Sequence, residues 1–374
     1  MRKFVSIFLA GIIVLFSSVI SVNAQSIKTS ASAHILYCAD NKKVLLEKNA
    51  YSPMGMASTT KIMTALIALE EQNPLETLVT FNEEMQAEGS SMYLETGEKL
   101  TLFELCKGML AASGNDAANA VAISLCGSLE DFAVRMNRKA QEIGMKSTNF
   151  VTPSGLPDEN HYSTAYDMAL LMAYAMENPH FREITGERSV DVKFVSPKGK
   201  TTTYENHNRL LSLYEPCVGG KTGYTIQDGR CLVTCSEKDN LTLVAVTFDD
   251  GNDWEDHISL YNYGFENYSA LSVSIEDSTF ETVVVGGKYP LSLVPERSQT
   301  LVLKKDKADA VTSKAFIPPV CFTPVKKGEN YGKLIFESEG EILLEVPLVA
   351  KESIDGEKSN FIIRFFRNLY YRLF

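Results

Sequence analysis

Ser58-Thr59-Thr60-Lys61-Ile62-Met63-Thr64-Ala65-Leu66-Ile67-Ala68-Leu69 is the stretch from which the rest of the chain is best read. Its spacing predicts a helix from Ser58 to about Gln72, closed by Asn73-Pro74. Seven of its residues between Ile62 and Leu69 are apolar and leave it hydrophobic almost all round, so it belongs in the middle of a domain. A lysine opening such a helix needs a reason, because buried lysine is uncommon without a task. Ser58 and Lys61 lie one turn apart and share a face. The positive end of the helix dipole and desolvation both disfavour the ammonium form of Lys61, and a second cation would add to that. A neutral Lys61 amine can then take the Ser58 hydroxyl proton, which gives a nucleophile and base without histidine. Alone the pair is a weak signal. A chain this long holds roughly one or two Ser-x-x-Lys by chance, and Ser58 could be a plain N-cap beside a solvated lysine.

Working outward, Ala33–Cys38 and Lys43–Glu47 flank Ala-Asp-Asn-Lys and read as a β-hairpin. Thr101-x-x-Glu104 is a capping box opening a helix to about Ala112. Further helices are predicted over Asp116–Leu125, Leu129–Ile143 and Tyr166–Met176, the last stopped near Pro179. The pattern then switches. Cys231–Cys235 and Leu241–Phe248 form a second hairpin, and Trp254–Tyr268 reads as helix. From about Val273 come short strands: Thr279–Val285, Leu301–Lys304, Gly332–Glu337 and Glu341–Val346. The fold class is α+β, a mixed helix-and-sheet domain followed by a small all-β domain.

Composition removes several functions. The 374 residues carry 36 Lys and Arg against 47 Asp and Glu, a net charge of −11. Such a chain, with few basic clusters, is a poor nucleic-acid binder. Five histidines without His-Glu-x-x-His count against a zinc hydrolase, and no metal or cofactor is expected. Residues 1–24 read as a signal peptide: Arg2 and Lys3, an apolar run from Phe4, then Val22-Asn23-Ala24. An exported protein works where ATP and NAD are scarce, which demotes nucleotide-dependent readings. The seven cysteines are too sparse for a disulfide scaffold and odd in number. Cys231 and Cys235 on one strand would lie about 13 Å apart, beyond disulfide reach. Buried thiols are the default.

Two more motifs complete the chemistry, Ser113-Gly114-Asn115 and Lys221-Thr222-Gly223. Ser-x-Asn is weak and recurs at Ser147-Thr148-Asn149, whereas Lys-Thr-Gly is expected on the order of a tenth of a time. All three in this order leave little room for accident. Gly219-Gly220-Lys221-Thr222 does not make a phosphate loop. Glu215 stands where that motif needs its first glycine, and the residues after Thr222 look like strand rather than helix. Gly-x-Ser-x-Gly is absent, so a Ser-His-Asp hydrolase lacks its marker.

The three motifs together resemble the signature of penicillin-binding proteins and class A β-lactamases. Longer segments extend the likeness: Ala57–Leu69, Gly89–Leu94 with Gly97-Glu98, Ala112–Ala118, Gly155–Asp158 through His161–Ala165, and Asn206–Leu211. Over about Ser32 to Phe265 the chain resembles D-alanyl-D-alanine carboxypeptidases, low-molecular-mass penicillin-binding proteins. The resemblance implies a β-lactamase/transpeptidase-like catalytic domain, an antiparallel sheet with helices. It also implies removal of the terminal D-alanine from a peptidoglycan stem peptide through an acyl-enzyme on Ser58, and inhibition by β-lactams. Lys61 would be the general base. Ser113 would relay a proton to the leaving amine, and Asn115 would orient Lys61. Lys221 would supply positive potential, Thr222 would bond the terminal carboxylate, and Gly223 would allow close approach. The oxyanion hole would be the N–H groups of Ser58 and Tyr224, worth about 3–4 kcal/mol per donor. Many relatives place His where this chain has Tyr224, so no role is carried over to its side chain. Arg209 and Arg230 are both candidates for a basic residue at the substrate carboxylate, while His161 and His207 read as structural. The alternatives are a D,D-endopeptidase on cross-linked peptidoglycan and a silent cell-wall-binding scaffold.

The expected organisation is a signal peptide (1–24), a serine D,D-peptidase domain (25–272), a β-rich domain (273–355) and an amphipathic helix (356–374). In that tail Arg364, Arg367, Asn368, Tyr371 and Arg372 fall on one stripe, with Ile362, Phe365, Phe366 and Leu369 among the rest. Phe361–Phe374 is too short and too charged to span a bilayer of about 30 Å, and suits a helix lying on an anionic membrane surface. The expected location is the outer face of the cytoplasmic membrane or the cell wall.

Overall fold

β1 (Ala33–Cys38) and β2 (Lys43–Lys48) form the expected N-terminal hairpin. In the computed structural model, residues 27–273, 278–308 and 310–355 are described, so the signal and tail readings lie outside the described residues. The 3₁₀ turn Ala57–Thr60 leads into α1 (Lys61–Leu69), all nine residues of which are buried. The single helix read from Ser58 to Gln72 is thus shorter, with a tighter first turn that places Ser58 outside the α-helix. β3 (Leu78–Thr80) pairs with β4 (Lys99–Thr101), which runs into α2 (Leu102–Ala111). Thr101 Oγ1 accepts from Glu104 N at 3.2 Å, but the Glu104 carboxylate turns to Lys107 and Lys193 N. Half of the capping box forms, and the other half ties α2 to a later strand.

α3 (Asn115–Cys126) and α4 (Leu129–Ile143) end at Gly127 and Gly144, both at positive φ as helix stops require. After α5 (Ala165–Ala175), Pro179 opens a helix that the sequence reading missed, α6 (Pro179–Gly186). Asn178 Oδ1 caps it, and proline at the first position gives up no needed hydrogen bond. β5 (Ser189–Lys193), β6 (Thr201–Glu205) and α7 (Leu210–Leu213) were also unread. The chain then forms β7 (Cys217–Thr225), β8 (Gly229–Lys238), β9 (Leu241–Phe248) and α8 (Asp253–Asn267).

The main sheet runs β2-β1-β9-β8-β7, antiparallel throughout. α8 covers one face through Leu260, Tyr261 and Phe265. On the other face α5 packs on the strands, and α1 sits at the centre of the helical layer. β7 is an edge, and Lys221-Thr222-Gly223 lies within it. That edge abuts the turn carrying Ser58.

β10 (Tyr268–Val273) leaves α8 for a β-rich unit. There β11 (Phe280–Val285), β12 (Leu291–Pro295), β13 (Gln299–Lys304), the short α9 (Lys305–Ala308), β14 (Thr312–Phe316), β15 (Val320–Phe322), β16 (Asn330–Ser338) and β17 (Glu341–Ala350) succeed one another along the chain. Six of them form a sheet ordered β14-β16-β17-β12-β11-β15 over a core that includes Leu291, Leu293, Phe336, Val346 and Leu348. β12, β14 and β15 escaped the sequence reading because they are short and pair with distant partners. All seven cysteines are free thiols and six are buried, as expected.

Candidate active site

Ser58 sits on the 3₁₀ turn because the residue before it bends the chain. Ala57 is held at φ +44°, a conformation an alanine adopts only under constraint. Gly155 leaves room for that bend, since any side chain there would lie 1.9 Å from the Ala57 carbonyl oxygen. Lys61 comes one turn later, fully buried. Its Nζ lies 2.8 Å from Ser58 Oγ, 2.7 Å from Asn115 Oδ1 and 2.7 Å from the Ser154 carbonyl oxygen.

The oxygens around that nitrogen define what it can do. Asn115 Nδ2 donates to the Glu88 carbonyl at 2.6 Å, so the Asn115 oxygen is the atom facing Lys61. That oxygen and the Ser154 carbonyl can only accept. An ammonium would donate to all three oxygens, whereas a neutral amine would give its two N–H groups to these two and keep a lone pair for the Ser58 hydroxyl. Burial holds Lys61 well below the ordinary lysine range, the Lys221 charge adds to this, and Asp116 opposes it. Both burial and the Lys221 charge thus act against the ammonium form.

Ser113, in the α2–α3 connection, is buried at φ +59°. Its Oγ accepts from Lys221 Nζ at 3.1 Å, and the same ammonium reaches the Thr222 carbonyl at 2.8 Å. Burial lowers Lys221 to about 7. Gly223 explains itself by contact. A β-carbon there would stand 3.0 Å from Ser58 N and 3.1 Å from Met56 O, so only glycine lets β7 lie so near the nucleophile. Tyr224 is next, with its ring 65% exposed.

These residues border a cleft of about 410 Å³ lined by Ser58, Ser90, Ser113, Thr222, Gly223 and Tyr224 on the chemical side. His207, Arg230, Asp253 and Trp254 complete it. Of the two arginines left open, Arg230 is in the cleft wall and Arg209 is not. Arg230 donates to both Asp253 oxygens, at 3.1 and 2.6 Å, and lies 5.6 Å from the Trp254 ring. His161 is structural, as read. It is buried against Thr60 Oγ1 at 2.8 Å, accepts from Val151 N at 2.9 Å, and burial lowers it to about 4. His207 departs from its structural reading by lining the cleft.

The sequence reading also missed Asp116. Its buried carboxylate accepts from Ser91 Oγ, Met92 N and Leu94 N at 2.7 to 3.1 Å, fastening the loop that carries Ser90. A lone Asp inside a helix start gives no sign of this. The Ser154 carbonyl is a backbone group with no residue signature at all.

Among the described residues no cluster of His, Cys, Asp or Glu could hold a metal ion. No histidine among them hydrogen-bonds Ser58, and the basic group beside its hydroxyl is Lys61 Nζ. An antiparallel sheet, a buried central helix and a serine–lysine pair at its start define a serine acyl-transfer enzyme of the penicillin-recognising kind.

Comparison with known proteins narrows the class. The family described as D-alanyl-D-alanine carboxypeptidase matches residues 19–252, and the C-terminal domain of penicillin-binding protein 5 matches residues 273–355. The chain belongs to the D-alanyl-D-alanine carboxypeptidase family. It is 32% identical over 385 residues to D-alanyl-D-alanine carboxypeptidase DacF of Bacillus subtilis, covering 97% of this chain and 96% of that protein. It is 30% identical to DacC of Escherichia coli, covering 91% and 88%. Penicillin binding protein 5 from Haemophilus influenzae superimposes with a TM-score of 0.71 at 26% identity, covering 88% of this chain and 99% of that one.

Proposed function

We propose that the chain removes the terminal D-alanine from peptidoglycan pentapeptide stems in two steps through an acyl-enzyme on Ser58. Lys61 takes the Ser58 proton as Oγ bonds to the carbonyl carbon between the two D-alanines. The oxyanion rests on the Ser58 and Tyr224 N–H groups. The C–N bond then breaks, and the leaving amine takes a proton relayed through Ser113. Water, deprotonated by Lys61, frees the shortened stem. Asn115 orients Lys61. Lys221, Thr222 and Arg230 hold the terminal carboxylate, and Asp253 keeps the Arg230 fork in place. A β-lactam presents the same carboxylate and a strained amide, so it acylates Ser58 in the same way.

The Lys61 environment carries this reading: a buried nitrogen 2.8 Å from Ser58 Oγ, with Asn115 Oδ1 and the Ser154 carbonyl as its other two partners. Ser58→Ala should release no D-alanine from a pentapeptide and show no mass increase with penicillin. An adduct persisting in that variant moves the nucleophile elsewhere.

The domain division accords with the same reading: signal peptide 1–24, catalytic domain 25–272, β-rich domain 273–355 and membrane-surface helix 356–374. The enzyme then works on the outer face of the cytoplasmic membrane. No single described helix is long and apolar enough to cross a membrane. Deleting Phe361–Phe374 should move the processed protein to the soluble fraction while a soluble peptide is still cleaved. Continued sedimentation with membranes would exclude the tail as anchor.

A further inference from the structure

Behind the Arg230–Asp253 pair lies a second cluster of acids that the chemistry above does not use. Asp250, after β9, and Asp256, on the first turn of α8, are both buried, at 1% and 6% exposure. Both reach one hydroxyl. Ser30 Oγ contacts Asp250 Oδ1 and lies 3.1 Å from Asp256 Oδ2, while Ser30 N donates to Asp256 Oδ2 at 2.6 Å. Asn252 N lies 3.0 Å from Ser30 Oγ and 3.1 Å from Asp250 Oδ1.

The inventory of donors falls short. A serine hydroxyl has one proton and cannot donate to two carboxylates at once. Asp250 Oδ2 is sealed from solvent, and no donor reaches it. An ionised, unpaired carboxylate oxygen in that position is costly. No described cluster fits a metal ion, so a cation does not fill the gap. A proton bound between the two carboxyl groups does, since it supplies the missing donor and removes one of two adjacent charges.

The cluster is also wired to the cleft. Asp250 N donates to the Arg230 carbonyl at 3.0 Å, and Asn252 begins the turn that delivers Asp253. An added charge on Asp250 would disfavour the ionised Asp253 that grips the guanidinium. We propose that Asp250 and Asp256 share one proton and, clamped by Ser30, form a positioning unit that sets Asp253 and hence Arg230 in the cleft. This rests on the assignment of Arg230 to the substrate carboxylate.

Other charges face the pair. Asp253 on α8 and His34 on β1 face Asp250, with Glu47 and Lys48 on β2 beside His34, while Arg230 on β8 is taken by Asp253 and Asp249, just after β9, by Ser32. His34 is lowered by burial and by Lys48, so its titration falls on the acid side. Asp250, raised by burial, gives up its proton at higher pH than an ordinary carboxyl.

Asp250→Asn copies the singly protonated pair, one amide and one carboxylate, at every pH. Two measurements on the full chain separate the pair from the site. In the first, the unfolding midpoint is measured against pH without substrate. The wild type should lose stability relative to Asp250→Asn as pH rises through the loss of the shared proton. In the second, KM and kcat for a D-Ala-D-Ala pentapeptide are measured over the same range. The ratio of wild-type to variant KM should climb about tenfold, with kcat little affected. Taking the ratio cancels the titration of Lys61 and Lys221, common to both. Parallel stability curves overturn the shared proton. Diverging stability with a flat KM ratio overturns the link to Arg230. Arg230→Ala judges the underlying assignment by itself: an unchanged KM there refutes the carboxylate role and leaves the stability result standing.

Discussion

The two walls of the cleft are built on different terms. The helical wall carries Lys61, Ser113 and Asn115 fully enclosed, each bonded to another member or to a fixed backbone carbonyl. The strand wall buries Lys221 and Gly223 but leaves Thr222 partly exposed and Tyr224 mostly so. Its arginine is held from behind by Asp253 and Trp254. Ser58 is thus half-buried at the cleft with enclosed groups behind it, and recognition groups sit where a ligand can enter. The difference teaches that desolvation serves the chemistry, while accessibility serves the binding.

The hardest test of that contrast is Lys61→Arg. Arginine keeps the positive charge and cannot surrender its proton, so acylation should fall by at least about 10³-fold. The proposed base is the neutral amine, whose proton affinity is lowered. Acylation should therefore persist at neutral pH and decline as pH falls through the depressed lysine value. Stopped-flow acylation by a chromogenic β-lactam measures both. Near wild-type acylation in Lys61→Arg would end the base assignment.

Thr222→Val probes the other wall. Losing a hydroxyl that bonds a carboxylate should raise KM about tenfold or more, with kcat changed far less. A fall in kcat with KM unchanged would place Thr222 among the bond-making groups and erase the contrast. The smallest effect belongs to Tyr224→Ala, since only the backbone N–H of that residue has a task. Its kcat/KM should stay within about threefold.

How much of this was readable divides along the same line. Ser58, Lys61, Ser113, Asn115 and Lys221 were legible because chemistry demanded particular side chains at short spacings, and α1 because its apolar residues run all round. Asp116 was illegible because its partners lie 22 to 25 residues upstream. The Ser154 carbonyl has no side-chain signature, and Asp253 declares itself only once β8 and α8 are packed. α6 was lost to a rule applied in the wrong sense: Pro179 reads as a stop for the helix before it, whereas its position favours a start. The tight turn at Ser58 was equally hidden, since the room for it is left by Gly155, about a hundred residues away.

The seven unpaired thiols have a bearing on how this protein meets the world beyond the cytoplasm. Burial raises Cys38 to about 11 and Cys231 to about 12, and pushes Cys106 and Cys235 up as well. Sulfur reacts with oxidants as the thiolate, so these four buried thiols are chemically mute toward air in the native molecule. Once the chain opens, those sulfurs regain their ordinary acidity together and can cross-link. Aerated unfolding should then be a one-way journey, reversible only while a reductant is present.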